Sequence, residues 1–438
     1  MKLSYTNSSK HWEVKRLKFI SEINPSRLSE IAEDSQCVFI PMDAMNSNGT
    51  FDQSERHPLS EMKNGFTRFA KNDVIFAKIT PCFENGKGAL LSELESEVGF
   101  GSTEFHVLRA VKGKSIPKFL YYLTISGEFR RIGEAFMQGV AGQKRVTSSF
   151  VKNYILAIPT ADEQETIVNH LDQKVIQIYD LLSKKERMIE LLKEERVAVI
   201  NHAVTRGLDP KSELQDTGIE WLGRGPKHWG TKKLKFNTLI RFSNVNKKIE
   251  EGELPVRLCN YVDVYYNDSI TDDLNFMEAT ATPEEIRKFK LKISDVLVTK
   301  DSEEWSDIAV PAYVATESPD LICGYHLAQI RPDLDVMNGK FLFWLLSANC
   351  INYQFKIEAS GVTRFGLSNY ALGNAKVACP PTKEQEKIAS FLDKKIDQID
   401  GQIGRAERSI ELLKEYRTAL ISEAVTGKID LKEMAHAE

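Results

Sequence analysis

No uncharged apolar run in the 438 residues reaches the roughly 18 positions that a membrane-spanning helix requires. The opening MKLSYTNSSKHWEVK contains no apolar stretch of the kind that marks a secretory signal. Cysteine is scarce: the six residues (37, 82, 259, 323, 350 and 379) stand singly, with no C-x-x-C pair. That spacing argues against a disulfide framework or a thiolate zinc site and predicts reduced, mostly buried thiols in a cytoplasmic protein. Charge of one sign is also missing, since 58 Lys and Arg stand against 62 Asp and Glu, for a net −4.

Catalytic signatures are absent too. There is no G-x-x-x-x-G-K-[ST] phosphate loop, no H-E-x-x-H, no Cys/His metal set and no G-x-S-x-G elbow. The Asn-Pro-Pro-aromatic run of adenine methylation is missing; Asn24-Pro25-Ser26-Arg27 departs from it at the third position. The eight histidines are scattered, and His106, inside a strand pattern, is expected to be a hydrogen-bonded structural residue. Gly86-Lys87-Gly88 reads as a turn. The residues therefore nominate no catalytic group, no metal ligand and no cofactor site.

What is present is a duplication. Displaced by 221, residues 157–209 align with 378–430 without a gap, and 26 of the 53 positions are identical. A shorter echo precedes it: His11-Trp12 with Leu17-Lys18 matches His228-Trp229 with Leu234-Lys235, displaced by 217. Repeats are read before elements because they organise the fold. Here they divide the chain into a first domain (1–156), a first helical region (157–209), a linker (210–226), a second domain (227–377) and a second helical region (378–438).

The helical regions carry narrow apolar stripes. Ile167, Leu171, Val175, Ile178, Leu182, Ile189, Leu192, Val199 and Ala203 form one, and Ile388, Leu392, Ile396, Ile399, Ile403, Ile410, Leu413, Leu420 and Ala424 the other. Spacing of three and four across several heptads is a coiled-coil seam. Thr160 with Glu163, and Thr382 with Gln385, are the expected capping pairs, and Gly207 and Gly427 the expected stops. About 45 residues make a rod of roughly 65 Å. Each rod needs a partner for its stripe, and pairing with the other copy, antiparallel, gives a pseudo-two-fold unit within one chain. The linker, rich in Gly and Pro with turn residues Asp216 and Thr217, is expected to carry the chain from the end of the first rod to the second domain. The expected fold is α+β: two mixed α/β domains in pseudo-two-fold arrangement, separated by an intramolecular antiparallel coiled coil of two long helices.

In the first domain, 38–40, 74–77 and 105–108 read as strands and Lys118–Arg131 as one helix entered through Pro117. In the second, Val256–Tyr266, 296–299 and 327–331 are the matching strands and 339–348 the matching helix. Asn72–Lys78 faces Ser294–Lys300, and Phe119–Leu123 faces Phe341–Leu345. Elsewhere the domains diverge, as copies of one module do when they read different things.

The first domain holds 21 Lys and Arg against 17 Asp and Glu, the second 18 against 20. This is no basic excess of the kind a stand-alone DNA binder shows. Local clusters remain. Gly142-Gln143-Lys144-Arg145-Val146-Thr147 sits opposite Gly361-Val362-Thr363-Arg364-Phe365-Gly366. Arg, Lys and Gln read guanine and adenine edges, and glycine permits close backbone approach. Lys78 and Thr80 end one strand, as Lys300 and Ser302 end its counterpart, where phosphates could be held. For any one of these residues taken alone, a solvated loop is the favoured reading.

Taken together, the chain resembles the specificity (DNA-recognition) subunit of type I restriction–modification systems. The residues that carry the likeness are Gly218-Ile219-Glu220-Trp221-Leu222-Gly223 followed by Pro226-Lys227-His228-Trp229, and Pro159 followed by Glu163-Gln164-Glu165. Pro380-Pro381 followed by Glu384-Gln385-Glu386, with the closing Ala203-Val204-Thr205 and Ala424-Val425-Thr426, completes it across nearly the whole chain. The approach to the first domain, Ser8-Ser9-Lys10-His11-Trp12, keeps only the end of the joint phrase. The resemblance implies a non-catalytic subunit with two target-recognition domains, each reading one half of an asymmetric bipartite site in double-stranded DNA. Two modification subunits, which bind S-adenosylmethionine and methylate adenine, would assemble around the helices, joined by motor-nuclease restriction subunits.

On that basis the DNA contacts are expected at Lys78, Thr80, Gln143, Lys144, Arg145 and Thr147 in the first domain, and at Lys300, Ser302, Thr363, Arg364 and Ser368 in the second. Arg145 and Arg364 are the sharpest, each expected to pair with a guanine through two hydrogen bonds. Trp12 and Trp229 are expected to pack where domain meets rod. The exposed rod faces, with Glu163, Gln164, Glu190, Lys193, Glu384, Gln385, Glu411 and Lys414, are expected to meet the modification subunits. The competing readings are a coiled-coil scaffold that binds only proteins, favoured by the negative charge, and a self-sufficient nuclease or methyltransferase, which the missing motifs oppose.

Overall fold

A computed structural model describes residues 11–26, 32–62, 65–140 and 142–429. Ser8-Ser9-Lys10, Arg27 and the end of the second helical region (430–438) lie outside the described residues. Two helices dominate: Ala161–Arg206 and Thr382–Val425, 46 and 44 residues long. The chain forms two compact units, 1–186 with 407–438, and 187–406. Each unit thus holds one α/β domain and half of each long helix.

In the first unit, Ser21–Ile23, Phe105–Ala110, Val74–Ala77 and Gly88–Leu90 form an antiparallel sheet in that order. A second sheet runs Arg56–Pro58, Gln36–Ile40, Val98–Gly101, Thr67–Ala70, with its central pair parallel. The helix expected over 118–131 is two, Pro117–Ile125 and Gly127–Ala135. Ser126 breaks the run: its backbone is extended and its hydroxyl accepts from Phe129 N to cap the second helix.

The second unit repeats the plan. Thr238–Phe242, Leu327–Pro332, Val296–Thr299, Pro311–Val314 and Ser269–Ile270 form a five-stranded sheet. Met277–Ala281, Leu254–Cys259 and Leu321–Cys323 form a three-stranded one. The strand expected over 256–266 stops at Cys259, because Asn260 and Asp263 make a capping box that starts the helix Tyr261–Tyr265. The linker folds as a hairpin, Leu214–Asp216 against Arg224–Pro226, and buries Ile219 and Leu222.

The expected strand register holds in both copies. Asn72 and Ser294 are left-handed (φ 68 and 78), and the following carboxylates, Asp73 and Asp295, are buried to 1% exposure beneath Arg109 and Arg331. The helix Gly339–Ser347 matches Pro117–Ile125. Each grips its own long helix: Tyr122 donates to Asp172 (2.6 Å), and Trp344 Nε1 donates to Asp393 (2.8 Å), 221 residues further along the repeat.

Packing of the long helices is antiparallel within each unit. In the second, Glu195 pairs with Lys395 (2.7 Å) and Arg196 with Asp400 (3.0 Å), while Gly207 lies against Glu384. The number rises along one helix as it falls along the other. Leu192, Ile200, Ala203 and Val204 share a core there with Ile388, Leu392, Ile396 and Ile399. In the first unit, Ile167, Leu171, Val175, Ile178 and Leu182 share one with Leu420, Ile421, Ala424 and Val425. Both cores also take in the domain helices, including Phe119 and Phe341, so the stripe is broader than a two-helix seam.

His-Trp pairs clamp the helix ends. His11 meets Glu163 at the start of the first long helix (2.6 Å), while a Cβ on Gly427, just past the end of the second, would strike Trp12. His228 meets Glu384 (2.9 Å) and Trp229 covers Gly207 in the same manner. Both glycines are left-handed (φ 74 and 72), which stops the helices where expected. Of the expected caps, Thr160 and Glu163 bond reciprocally. Thr382 and Gln385 do not, because Gln385 is committed to the backbone of its own domain.

Candidate nucleic-acid interface

In each unit the central strand ends in a lysine whose two backbone groups tie together the loops around it. Lys78 N donates to Glu104 O (2.8 Å) and Val146 N donates to Lys78 O (2.8 Å). Lys300 N donates to His326 O (3.1 Å) and Leu367 N donates to Lys300 O (2.8 Å). The same scaffold therefore presents Glu104 in one unit and His326 in the other.

Closed loops rise from both scaffolds. Gln138 and Arg145 exchange two backbone hydrogen bonds (3.0 and 2.8 Å), as do Ser360 and Gly366 (3.1 and 2.8 Å). Each loop opens on a glycine in a conformation that side chains avoid, Gly139 at φ 130 and Gly361 at φ 148. A Cβ on Gly139 would lie 2.6 Å from Gln143 O, and one on Gly361 would collide with Arg364 O. The hydrogen-bond register sets Arg145 opposite Gly366, two positions beyond Arg364, just as Val146 and Leu367 make the same bond to the strand-end lysine of their own unit. The expected pairing of the two arginines is corrected on that ground.

At the tips Gln143, Lys144, Thr363 and Arg364 are exposed. Arg145 is already engaged: Nε and Nη2 both reach Glu104 (2.9 Å each) and Nη1 donates to Gln143 O (3.2 Å). Its fork is not free for a guanine in this conformation. That guanidinium holds the Glu104 carboxyl below the usual carboxylate range, with Lys78 adding to the effect. In the second unit Asp301 gathers His326 Nδ1 (2.7 Å) and Arg364 Nε (3.1 Å).

Several expected contacts are spoken for by the fold. Thr147 and Ser368 are helix N-caps, accepting from Phe150 N (3.1 Å) and Ala371 N (3.0 Å). Ser302 is 5% exposed and accepts from Glu304 N, with Tyr261 beside it. Lys300 Nζ donates to Ser243 O (2.7 Å) and lies over the Tyr325 ring, and burial lowers its pKa. Lys78 and Thr80 are half-buried, and Thr80 Oγ1 accepts from Lys144 N (3.2 Å). His106 is structural as expected: Nε2 donates to Val146 O (2.8 Å), Asn24 donates to Nδ1, and burial lowers its pKa.

Glu104, Asp301 and His326 were missed, because a search for cationic readers passes over the groups that position them. An aromatic edge was missed too. Tyr261 stacks on Tyr265 at 5.5 Å, Tyr325 and Trp305 are 45% and 42% exposed, and the Tyr261…Tyr265-Tyr266 spacing was its signal.

On the rods, Gln164 and Gln385 correct the expectation of an exposed partner face: both are 0% exposed. Gln164 accepts from Ile116 N and donates to Lys114 O and Pro159 O, all 3.0 Å. Gln385 accepts from Asn338 N (2.7 Å) and donates to Val336 O and Pro380 O. They lock each helix to its own domain. Glu163 and Glu384 are held by the histidine clamps. Glu190 and Glu411 are exposed and pair along their own helices with Arg187 and Arg408; Lys193 and Lys414 are exposed as well. Leu191 and Leu412, at one position of the repeat, are each 49% exposed, a pair that a reading for charge overlooked.

Among the described residues no cluster of three or more His, Cys, Asp or Glu could hold a metal ion, and no helix is long and apolar enough to cross a membrane. The family model of the type I restriction modification DNA specificity domain matches residues 9–191 and 246–407. Relatives include the specificity subunits of type I restriction enzymes EcoEI and EcoAI of Escherichia coli, both 39% identical, over 160 and 166 residues. Those matches cover 36% and 37% of this chain and only 26% and 28% of the relatives' own length. Two solved structures share the fold. One, from a study of complex assembly and conformational transition of the type I R-M system, has a TM-score of 0.76 at 17% identity, covering 96% of this chain and 99% of that one. The HsdS subunit from Thermoanaerobacter tengcongensis has 0.62 at 18% identity, covering 96% and 98%. The chain belongs to the type I restriction–modification DNA specificity family, whose role is DNA recognition.

Proposed function

We infer that this chain is the sequence-reading subunit of a type I restriction–modification complex in the cytoplasm, non-catalytic itself. Each unit reads one half of an asymmetric bipartite site in double-stranded DNA, and the long helices set the unread spacer. One observation carries this reading: the same scaffold bears unlike groups, Glu104 with Arg145 in one unit, His326 with Asp301 and Arg364 in the other. Like frames with unlike edges suit unlike half-sites. Gln143, Lys144, Thr363 and Arg364 are the exposed contacts, with Lys78 and Thr80 behind them.

Two modification subunits, the holders of S-adenosylmethionine, dock on the rods through Leu191, Leu412 and the surrounding Glu190, Lys193, Glu411 and Lys414. Restriction subunits complete the assembly. Half-exposed leucines among charges fit a protein partner better than a phosphate backbone.

The near-balanced charge predicts that much of the phosphate grip comes from the partners. Salt titration of duplex binding tests this: log Kd should depend weakly on log salt for the chain alone and steeply once modification subunits are added. Equal slopes would place the whole grip on this chain, and absence of duplex binding in both states would return the protein to a protein-only scaffold.

A further inference from the structure

The duplication supplies an internal control for a cavity in the first unit. Arg196 and Arg417 occupy one position of the repeat. In the second unit Arg196 is neutralised twice, by Asp400 (3.0 Å) and Asp268 (3.1 Å). In the first unit the residue matching Asp400 is Tyr179, and Arg417 lies over its ring, 5.1 Å from the centroid. Among the described residues no carboxylate lies within ion-pair distance of Arg417.

A second departure adds another positive charge. Counted from the helix N-caps, Ser126 and Ala348, Arg130 stands where the helix Asn349–Glu358 carries Asn352. The neutral Asn352 amide donates to Ala309 O (2.8 Å). Arg130 Nη1 donates to Glu84 O (3.3 Å), and its Nε is buried with no partner. A third departure, Tyr121 for Phe343, adds a hydroxyl. Burial and the neighbouring Arg417 both pull the Arg130 pKa down, and no carboxylate opposes them.

All three departures, together with Arg417, line one cavity of about 520 Å³. Two left-handed glycines make room for its donors. A Cβ on Gly49 would collide with the Tyr121 hydroxyl, and one on Gly86 would lie 2.8 Å from Arg130 Nη1. The acidic lining residues do not neutralise the arginines: Asp172 is taken by Lys118 (2.9 Å) and Tyr122 (2.6 Å), and Glu93 is exposed.

The geometry points to an anion site in this cavity whose occupant is a phosphate monoester carried on a planar group, the size of a mononucleotide. Paired guanidinium forks with a phenol hydroxyl are suited to phosphate oxygens. The volume exceeds what a bare phosphate fills, and Tyr179, Ile125 and Val175 offer the apolar wall that a flat ring needs. The site lies apart from the reading loops, and it stands or falls independently of the DNA-reading proposal.

Titration calorimetry of the full chain with a 5′-mononucleotide should give one saturable site, and the nucleoside lacking phosphate should bind at least about tenfold more weakly. Tyr179→Asp, which copies the pairing of the sister unit and so should fold, should weaken the mononucleotide by at least about tenfold, as should Arg130→Asn. Duplex binding should be unchanged in Tyr179→Asp. No saturable binding, equal affinity for nucleoside and nucleotide, or an unaffected Tyr179→Asp would overturn the site. Loss of duplex binding in that variant without mononucleotide binding by the wild type would also overturn it, assigning the arginines to a DNA phosphate instead.

Discussion

Asp295→Ala should cost the second unit about 3–5 kcal/mol, the largest stability loss expected from a single side chain here. The carboxylate is 1% exposed and takes four donors: Arg331 Nε and Nη2 (2.7 Å each), Gln329 Nε2 (2.8 Å) and Lys292 N (2.8 Å). Removing it leaves a guanidinium only 22% exposed without its counter-ion, and a buried amide short of a partner. Asp73→Ala should act similarly in the first unit, where Asp73 holds Arg109 (2.8 Å) and Ala70 N (2.7 Å). Denaturant unfolding with a tryptophan signal would measure both; a loss below about 1 kcal/mol would show that the ion pair is not what holds strand to loop.

Arg145→Ala and Glu104→Ala should each weaken duplex binding at one half-site, and the double variant should be little worse than either. The expected coupling is about 1–3 kcal/mol. The reason is geometric: Arg145 spends Nε, Nη1 and Nη2 on Glu104 and Gln143 O, so its part is to hold the loop that presents Gln143 and Lys144. If Arg145 instead read a guanine, freeing its fork by Glu104→Ala would tighten binding. The Glu104 carboxyl is held below its ordinary value, so the pair's contribution is complete above the unfolded carboxylate range. It should fade as pH falls through the lowered folded value, leaving affinity near neutrality flat with pH.

Much of this architecture was legible in the residues. The 221-residue displacement located both long helices, and Asn72–Lys78 against Ser294–Lys300 matched strands that the fold builds in one register. The His-Trp echo marked the two clamps. Less legible was Gln164, taken as an exposed polar group although it precedes Ile167 and Leu171 at three- and four-residue spacing and so lies on the buried stripe. Gln385 before Ile388 and Leu392 carries the same signal. A polar residue on a buried stripe implies hydrogen bonds waiting in the domain, but their acceptors, Lys114 O and Val336 O, are carbonyls that no side-chain pattern announces.

The loops were the least readable part. Matching by residue type set Arg145 against Arg364, whereas the backbone sets it against Gly366, two positions on, in a loop that is itself one residue shorter than that from Gln138 to Arg145. Length differences of this kind are cheap on a surface and leave no periodicity to follow. The arginines also drew attention from Glu104 and Asp301, whose positions become meaningful only once the strands place them beside a loop.

Two like frames with unlike edges should read two unlike half-sites. Base-resolution mapping of adenine methylation tests it most directly, in cells carrying this chain with its modification subunit, compared with cells carrying Gly361→Val. An asymmetric two-part motif around an unread spacer is expected, with the variant relaxing or losing one part and keeping the other. A single uninterrupted motif, or a variant that degrades both parts alike, would contradict it.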